Sequence, residues 1–265
     1  MTSASDTTAS EAPGTSRPED QGITDATNCL GDGPGSPANR TLAPDLALIA
    51  ADYGVQFQAS WFEAGTGTVT VGGLNSLPAW STAKVPLALA VVQSGQGDAL
   101  TPWISNALRQ SDNNAADLLW QSVGADDPER AQAVTSVLRQ TGDETTTVPS
   151  SPLYPPFSIF GQTQWSTAAQ VDFLIQLPCL TGAEQIITDM ANVSDSQRWA
   201  LGAVPGAVFK GGWGPDGTDG GEIVRQFGWY TDASGNAVPV SVAVHAQSFE
   251  AGVAALSALT EALTL

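Results

Sequence analysis

The stretch that decides the fold is Trp80–Ala90, which reads WSTAKVPLALA and continues in apolar residues to Val92. Because it is hydrophobic on nearly all sides, it predicts a helix in the centre of a core. Ser81 and Lys84 stand three residues apart where this helix begins, so their side chains share one face. The oriented amides at a helix N-terminus also favour developing negative charge there.

A serine and a lysine in this arrangement can form a nucleophile and its base. A serine hydroxyl is a weak nucleophile until a neighbouring group removes its proton. The apolar neighbours of Lys84 would desolvate its amine and lower its pKa towards that role. The simpler alternative is a helix-capping serine followed by a lysine that extends to solvent. On the S-x-x-K pattern alone, the simpler alternative is favoured.

The distribution of lysines strengthens the catalytic interpretation. The chain has nine basic residues, of which only Lys84 and Lys210 are lysines, whereas a solubilising role predicts many lysines scattered over the surface. Lys210 ends the predicted strand AVFK and precedes Gly211-Gly212. Between the two lysines lies Ser111-Asp112-Asn113, which either caps the next helix or supplies a proton relay and a substrate contact. The three motifs S-x-x-K, S-D-N and K-x-G follow the order known in penicillin-recognising enzymes.

On these motifs the sequence resembles the class A branch of the serine β-lactamase and penicillin-binding (DD-peptidase) superfamily, as a divergent, exported, actinobacterial-type member. The resemblance covers about residues 46–265 and includes the segments WSTAKVPLALA, RQSDNNAADLLWQSVG, LRQTGDETT and FKGGWG. It implies an α+β, β-lactamase/transpeptidase-like fold. An antiparallel sheet from both chain ends (about 46–80 and 205–265) would be flanked by helices, with an all-α half (about 81–204) inserted.

The resemblance also implies roles for individual residues. Ser81 would attack a carbonyl, Lys84 would act as its base, and Ser111 would carry the proton to the leaving nitrogen. Lys210 would give the site a positive potential. No cofactor is implied, and no metal is expected, because His245 is the only histidine and no histidine pair exists to bind zinc.

Four further residues are expected to contact the substrate. Asn113 would make a polar contact, and the residue after Gly212, Trp213, would complete an oxyanion hole with the backbone amide of Ser81. Arg225, on the following strand, would help to hold a substrate carboxylate. A surface ion pair is the open alternative for Arg225.

Three departures from the family pattern bear on activity. Only 30 residues separate Ser81 from Ser111, about half the family spacing, so part of the helical half is expected to be missing. Gly211 stands where the family has Thr or Ser, and PSSP (149–152) stands where the loop glutamate that activates water is expected. Glu144 is the nearest acidic candidate, but it precedes the loop. We therefore expect an acyl-enzyme that persists and a poor β-lactamase.

Composition excludes several other functions. A net charge of −18 and a pI near 4.1 disfavour binding to nucleic acid or to anionic lipid. No run of 18 apolar residues predicts a membrane span. Residues 1–45 are rich in Ser, Thr, Pro and Gly and predict a flexible tail, either a tether or an ordinary disordered terminus. No export signal is recognised, so the protein is either cytoplasmic or exported with its signal or anchor removed. We expect a secreted or cell-envelope protein.

The remaining expectations concern local structure. Cys29 and Cys179 either form a disulfide, which we favour, or are unrelated thiols. The predicted helices are 46–51, 81–92, 101–110, 113–123, 128–140, 166–177, 182–192 and 249–263. The predicted strands are 55–63, 68–71, 207–210, 222–231 and 237–245. Thr145–Thr163 carries four prolines and predicts a long ordered loop, of a length that is usually either functional or disordered.

Two functions from different classes follow. The first is a monomeric serine hydrolase that acylates Ser81 and acts on a cell-wall peptide, amide or ester. The alternative is a catalytically degenerate binding protein of the cell envelope that retains the fold. Neither requires nucleic acid or a cofactor.

Overall fold

The computed structural model describes residues 1, 29–30, 33–38, 42–74, 76–216 and 220–264. Its helices are α1 (Leu42–Asp52), α2 (Lys84–Val91), α3 (Gly97–Arg109), α4 (Asn113–Ser122), α5 (Asp127–Arg139), α6 (Thr167–Gln176), α7 (Ala183–Ala191) and α8 (Phe249–Thr264). Its strands are β1 (Gln56–Glu63), β2 (Gly67–Gly72), β3 (Val208–Pro215), β4 (Glu222–Thr231) and β5 (Ala237–Ala246). None of the helices in these ranges is both long and apolar enough to cross a bilayer.

The five strands form one antiparallel sheet in the order β2-β1-β5-β4-β3. Because β1 pairs with β5, the sheet unites strands from the two ends of the chain, which confirms the predicted α+β architecture. Helices α1 and α8 share an apolar core with the sheet, which includes Leu46, Phe57 and Leu259. Helix α6 packs against β1 and β5.

A second apolar core lies within the helical part of the molecule. Helix α2 is at its centre, and all eight of its residues are buried, as the uninterrupted apolar sequence predicted. The predicted single helix over 81–92 is nevertheless divided. A 3₁₀ turn (Trp80–Ala83) precedes α2, and a π-helical turn (Val92–Gln96) follows it. Pro86 lies in the first turn of α2, where a missing backbone donor is tolerated.

Part of the predicted N-terminal tail is attached to the body of the protein. A disulfide joins Cys29 to Cys179, which confirms the pairing that we favoured. The backbone amide of Gly35 donates to Ala237 O (2.8 Å) at the start of β5, and Ser36 Oγ accepts from the amide of Ala64 (2.9 Å). Helix α1 begins at Leu42, before the expected boundary. The tail prediction for residues 2–28, 31–32 and 39–41 lies outside the described residues.

The proline-rich segment between α5 and α6 is a loop held by buried polar side chains. Gln162, in a 3₁₀ turn (Ile159–Gln162), accepts through Oε1 from the amides of Leu153 (2.6 Å) and Tyr154 (2.9 Å). Asp143 accepts in the same way from the amides of Thr145 and Thr146. Buried backbone amides need such partners, so these side chains give the loop a defined path past the end of α2.

Candidate active site

A cleft of about 410 Å³ opens between the Ser81 turn, the start of α4, the proline-rich loop and strand β3. It is lined by Trp80, Ser81, Lys84, Ser111, Asn113, Phe157, Ser158, Phe160, Gly161, Trp213, Gly214, Pro215 and Glu222. The lining therefore includes members of all three sequence motifs or their immediate neighbours. It also includes aromatic residues and one carboxylate that sequence reasoning did not assign to the site.

Lys84 reaches the cleft from the first turn of α2. Its Nζ donates to Ser111 O (2.6 Å) and Asn113 Oδ1 (2.8 Å) and lies 3.4 Å from Ser111 Oγ. The side chain is almost fully buried, and this desolvation lowers the pKa of the amine to about 7, although the charges of Asp112 and Asp117 partly oppose the shift. A sizeable neutral fraction at physiological pH makes the amine suitable as a general base.

Lys210 meets the same serine from strand β3. Its Nζ donates to Ser111 Oγ (2.9 Å) and Gly211 O (2.9 Å). Complete burial, together with the charge of Lys84, holds the pKa of the Lys210 amine well below its usual value. This burial works against the positive potential that we expected from Lys210. Both lysine amines of the chain thus converge on one hydroxyl.

The backbone on either side of the cleft is held in unusual conformations. Trp80 has φ 47° and Ser111 has φ 54°, a region that costs a non-glycine residue on the order of 1–3 kcal/mol. At Ser111 this conformation accompanies the contact of its carbonyl with Lys84. Asp112 caps α4 by accepting from the amides of Asn114 (2.8 Å) and Ala115 (3.1 Å). The S-D-N segment therefore combines a capping residue with residues that contact the lysines.

Strand β3 passes very close to the turn that carries Ser81. A β-carbon on Gly212 would lie 2.9 Å from Ala79 O, 2.9 Å from the Ser81 nitrogen and 3.0 Å from the Thr82 nitrogen. Only glycine fits at such a separation. Ser81 is half-buried and Trp213 lines the same cleft. The backbone of β3 therefore lies directly against that of the Ser81 turn.

The expectation that Arg225 contacts the substrate is wrong, because its side chain is fully buried. Its guanidinium donates to Leu77 O (3.0 Å), Pro78 O (3.1 Å), Trp165 O (2.9 Å) and Gln170 Oε1 (2.7 Å). Burial lowers its pKa to about 9. Arg225 is also not in a surface ion pair. It ties the segment before Ser81 to helix α6 and so supports the position of the Ser81 turn.

The indole ring of Trp199 lies beside Gly211, the position at which the family pattern has Thr or Ser. A β-carbon on Gly211 would come within 3.2 Å of Trp199 Cζ2. Trp199 packs edge-to-face against Trp213 (6.4 Å between ring centroids) and against Phe249 (5.8 Å). Nothing in the local sequence of Trp199 places it beside β3.

The loop glutamate has no replacement among the cleft-lining residues of the loop, which are Phe157, Ser158, Phe160 and Gly161. Glu144 lies 3.7 Å from Arg139, and its side chain is 78% exposed. Ser158 Oγ donates to Asp117 Oδ1 (2.6 Å).

The carboxylate that does line the cleft belongs to Glu222. This residue begins β4 after a glycine-rich run that carried no signal of a site. The described residues contain no cluster of three or more His, Cys, Asp or Glu side chains suited to a metal ion.

Comparison with solved structures identifies the fold as that of the class A β-lactamases. The TLA-3 extended-spectrum β-lactamase superposes with a TM-score of 0.67 at 14% identity, covering 84% of this chain and 96% of that one. A β-lactamase from Chitinophaga pinensis DSM 2588 gives 0.68 at 18% identity, covering 84% and 98%. A class A β-lactamase representative from Bacteroides cellulosilyticus DSM 14838 gives 0.65 at 15%, covering 85% and 98%. No protein-family model and no curated protein sequence matches the chain.

Proposed function

We propose that this protein is a serine hydrolase that forms an acyl-enzyme on Ser81 and acts outside the cytoplasmic membrane on a cell-wall peptide, amide or ester. The observation that carries the proposal is the contact of both lysine amines with Ser111 Oγ in the cleft that Ser81 lines. Ser81 lines the same cleft as Lys84, and a base there with a pKa near 7 is what nucleophilic catalysis by the Ser81 hydroxyl requires. The class A β-lactamase fold supports the same assignment.

In the proposed reaction, the neutral amine of Lys84 takes the proton of Ser81 Oγ as that oxygen attacks the carbonyl carbon. The carbonyl oxygen becomes an oxyanion, which the backbone amides of Ser81 and Trp213 stabilise. Collapse of this intermediate breaks the bond to the leaving group. The leaving nitrogen or oxygen receives a proton from Ser111 Oγ, which regains one from the lysine ammonium. The products of this half-reaction are the Ser81 ester and the free leaving group.

Hydrolysis of the ester is proposed to be the slow half of the reaction. Water must lose a proton as it attacks the acyl carbonyl, and no carboxylate of the proline-rich loop lines the cleft. The Lys84–Ser111 pair is then left to assist water. We therefore propose that β-lactams acylate the protein and are released slowly, so that it is a poor β-lactamase.

Intact-mass spectrometry tests the proposal directly. The protein is incubated with benzylpenicillin and, separately, with a fluorophosphonate that labels activated serines. We expect a covalent adduct of one equivalent that Ser81→Ala does not form. Ser122→Ala, which changes a serine at the end of α4 whose hydroxyl donates to Leu119 O, is the matched control and should label like the wild type. The absence of any adduct with both reagents would overturn the proposal.

A binding function is the second candidate, and the loss of a hydroxyl side chain at Gly211 favours it. The family pattern has Thr or Ser there to bind the substrate, and in this protein the indole of Trp199 lies beside the glycine. In that case, soluble wall peptides would bind equally well to the wild type and to Ser81→Ala, with no product formed. Measuring binding and hydrolysis on the same peptides distinguishes the two candidates.

A further inference from the structure

The charge of the cleft is unusual for a site with two lysines. Desolvation lowers the pKa of both Lys84 and Lys210, which weakens the attraction of the two amines for an anion. Among the described residues that line the cleft, Glu222 is the one with a carboxylate. Asp112 and Asp117 lie close enough to affect Lys84. The lining of the cleft therefore offers a negative charge with which a cationic group of a ligand can pair.

Glu222 is held at the wall of the cleft with part of its carboxylate unsatisfied. Its backbone is fixed between Pro215 of β3 and Ala246 of β5. Its Oε2 atom is buried and has no hydrogen-bond partner among the described residues. A buried acceptor without a partner is costly, most of all when it is ionised. Glu222 also lines the cleft, so a small rotation of its carboxylate would let a ligand with a positively charged N–H donor supply the missing partner.

The other walls of the cleft are suited to the apolar part of such a ligand. Trp80, Trp213 and Phe157 all line it, and Trp213 and Phe157 keep 37% and 41% of their surface exposed. Aromatic faces attract ammonium groups as well as alkyl chains. A net charge of −18 also raises the local concentration of cations near the protein.

We propose that Glu222 forms a subsite for a primary ammonium group, so that the cleft selects acyl donors that carry a free amine on an apolar chain. This inference rests on the proposed function, because it names the substrate class of the same cleft. It assigns Glu222 to recognition of the substrate and not to the proton transfers at Ser81. Peptides or esters with an exposed amino side chain or amino terminus are the chemical class that fits.

The first test compares p-nitrophenyl 6-aminohexanoate with its neutral N-acetyl analogue. We expect the wild type to react with the ammonium ester at a kcat/KM about 10- to 100-fold higher, the range of a charge-assisted hydrogen bond. Glu222→Gln should lower this ratio at least about tenfold, because it removes the charge and keeps the shape. Glu144→Gln, which changes an exposed carboxylate outside the cleft, should keep the wild-type ratio. Equal rates for the two esters, or a ratio that Glu222→Gln does not change, would overturn the inference.

A binding measurement separates this inference from the proposed function. Calorimetry on Ser81→Ala should show 6-aminohexanamide binding at least about tenfold more tightly than hexanamide, with the difference lost in Ser81→Ala/Glu222→Gln. If no ester acylates the wild type but this difference is present, the proposed function fails and the ammonium subsite stands. If acylation occurs and the two amides bind equally, the subsite fails and the hydrolase stands.

Discussion

The amine of Lys210 lies 2.9 Å from the hydroxyl of Ser111, although 99 positions separate the two residues in the chain. Strand β3 presents the amine and the loop before α4 presents the hydroxyl. The hydroxyl in turn lies 3.4 Å from Lys84 Nζ. Ser111 therefore bridges the two lysines, and proton transfer between the lysines and a ligand in the cleft would pass through it.

Replacing Ser111 tests this bridge. We expect Ser111→Ala to slow acylation of Ser81 by about 10²–10⁴-fold, the usual contribution of a positioned acid or base. Acylation by an ester with a good leaving group should be slowed less, because p-nitrophenolate needs no proton to depart. The measurement is the rate of adduct formation by mass spectrometry, with Ser122→Ala as the control. Equal slowing for amide and activated-ester substrates would contradict a role in protonating the leaving group.

The pH dependence of acylation should reflect the buried amine of Lys84. Desolvation lowers its pKa to about 7, and the amine is a base only when it is neutral. The kcat/KM for a neutral ester should therefore fall about tenfold per pH unit below pH 7 and level off above it. The check is a rate profile from pH 5 to 9, corrected with Ser81→Ala. A rate that is constant between pH 5 and pH 8 would exclude Lys84 as the base.

The two glycines after Lys210 should tolerate substitution very differently. Gly212→Ala places a methyl group 2.9–3.0 Å from the backbone of the Ser81 turn, which cannot withdraw without displacing the nucleophile. We expect it to reduce the acylation rate by at least about 10²-fold, the scale of a lost oxyanion contact. Gly211→Ala meets a Trp199 carbon at 3.2 Å, and this side chain can shift by a few tenths of an ångström. Similar acylation rates for the two variants would refute the close approach.

Arg225 should matter for stability and not for direct contact with the substrate. Arg225→Met removes the donors of four hydrogen bonds to buried acceptors. An unsatisfied buried group costs about 1–3 kcal/mol, so we expect the free energy of unfolding to fall by at least about 3 kcal/mol. Arg130→Ala, at a partly exposed ion pair with Asp127, should cost less. Chemical denaturation measures both variants, and a loss below about 1 kcal/mol for Arg225→Met would contradict the assignment.

Much of the architecture could be predicted because its signals are local. The apolar stretch of α2 predicted a central helix. The alternating pattern of β1 and the strand signals of β4 and β5 predicted strands whose observed ends differ by at most one residue. The predicted helices end at 92 and resume at 101, so the π-helical turn (Val92–Gln96) and the start of α3 at Gly97 were not predicted. Gly95 has φ 82° inside that turn, and its local sequence does not reveal that conformation.

The expectation for Arg225 was wrong because the sequence does not show which face of strand β4 is buried. Arg225 was assigned to the substrate because it lies on the strand next to Lys210. In the antiparallel register it pairs with Gly212 and points inward, towards Leu77 and Gln170. Adjacent residues of a strand point to opposite faces, so a single step in register exchanges a buried position for an exposed one. Nine consecutive residues of β4 are buried or half-buried. The pattern of this strand therefore does not show which of its side chains face the cleft.

The motifs around Ser81, Ser111 and Lys210 and the class of fold could be identified from the linear sequence, because each depends on residues within a few positions of one another. The environment of those motifs depends on contacts between distant segments. The burial that lowers the pKa of Lys210, the indole of Trp199 beside Gly211 and the carboxylate of Glu222 in the cleft all arise when β3, β4 and the helical part come together. Desolvation and steric exclusion are properties of packed surfaces, and they exist only once the chain has folded.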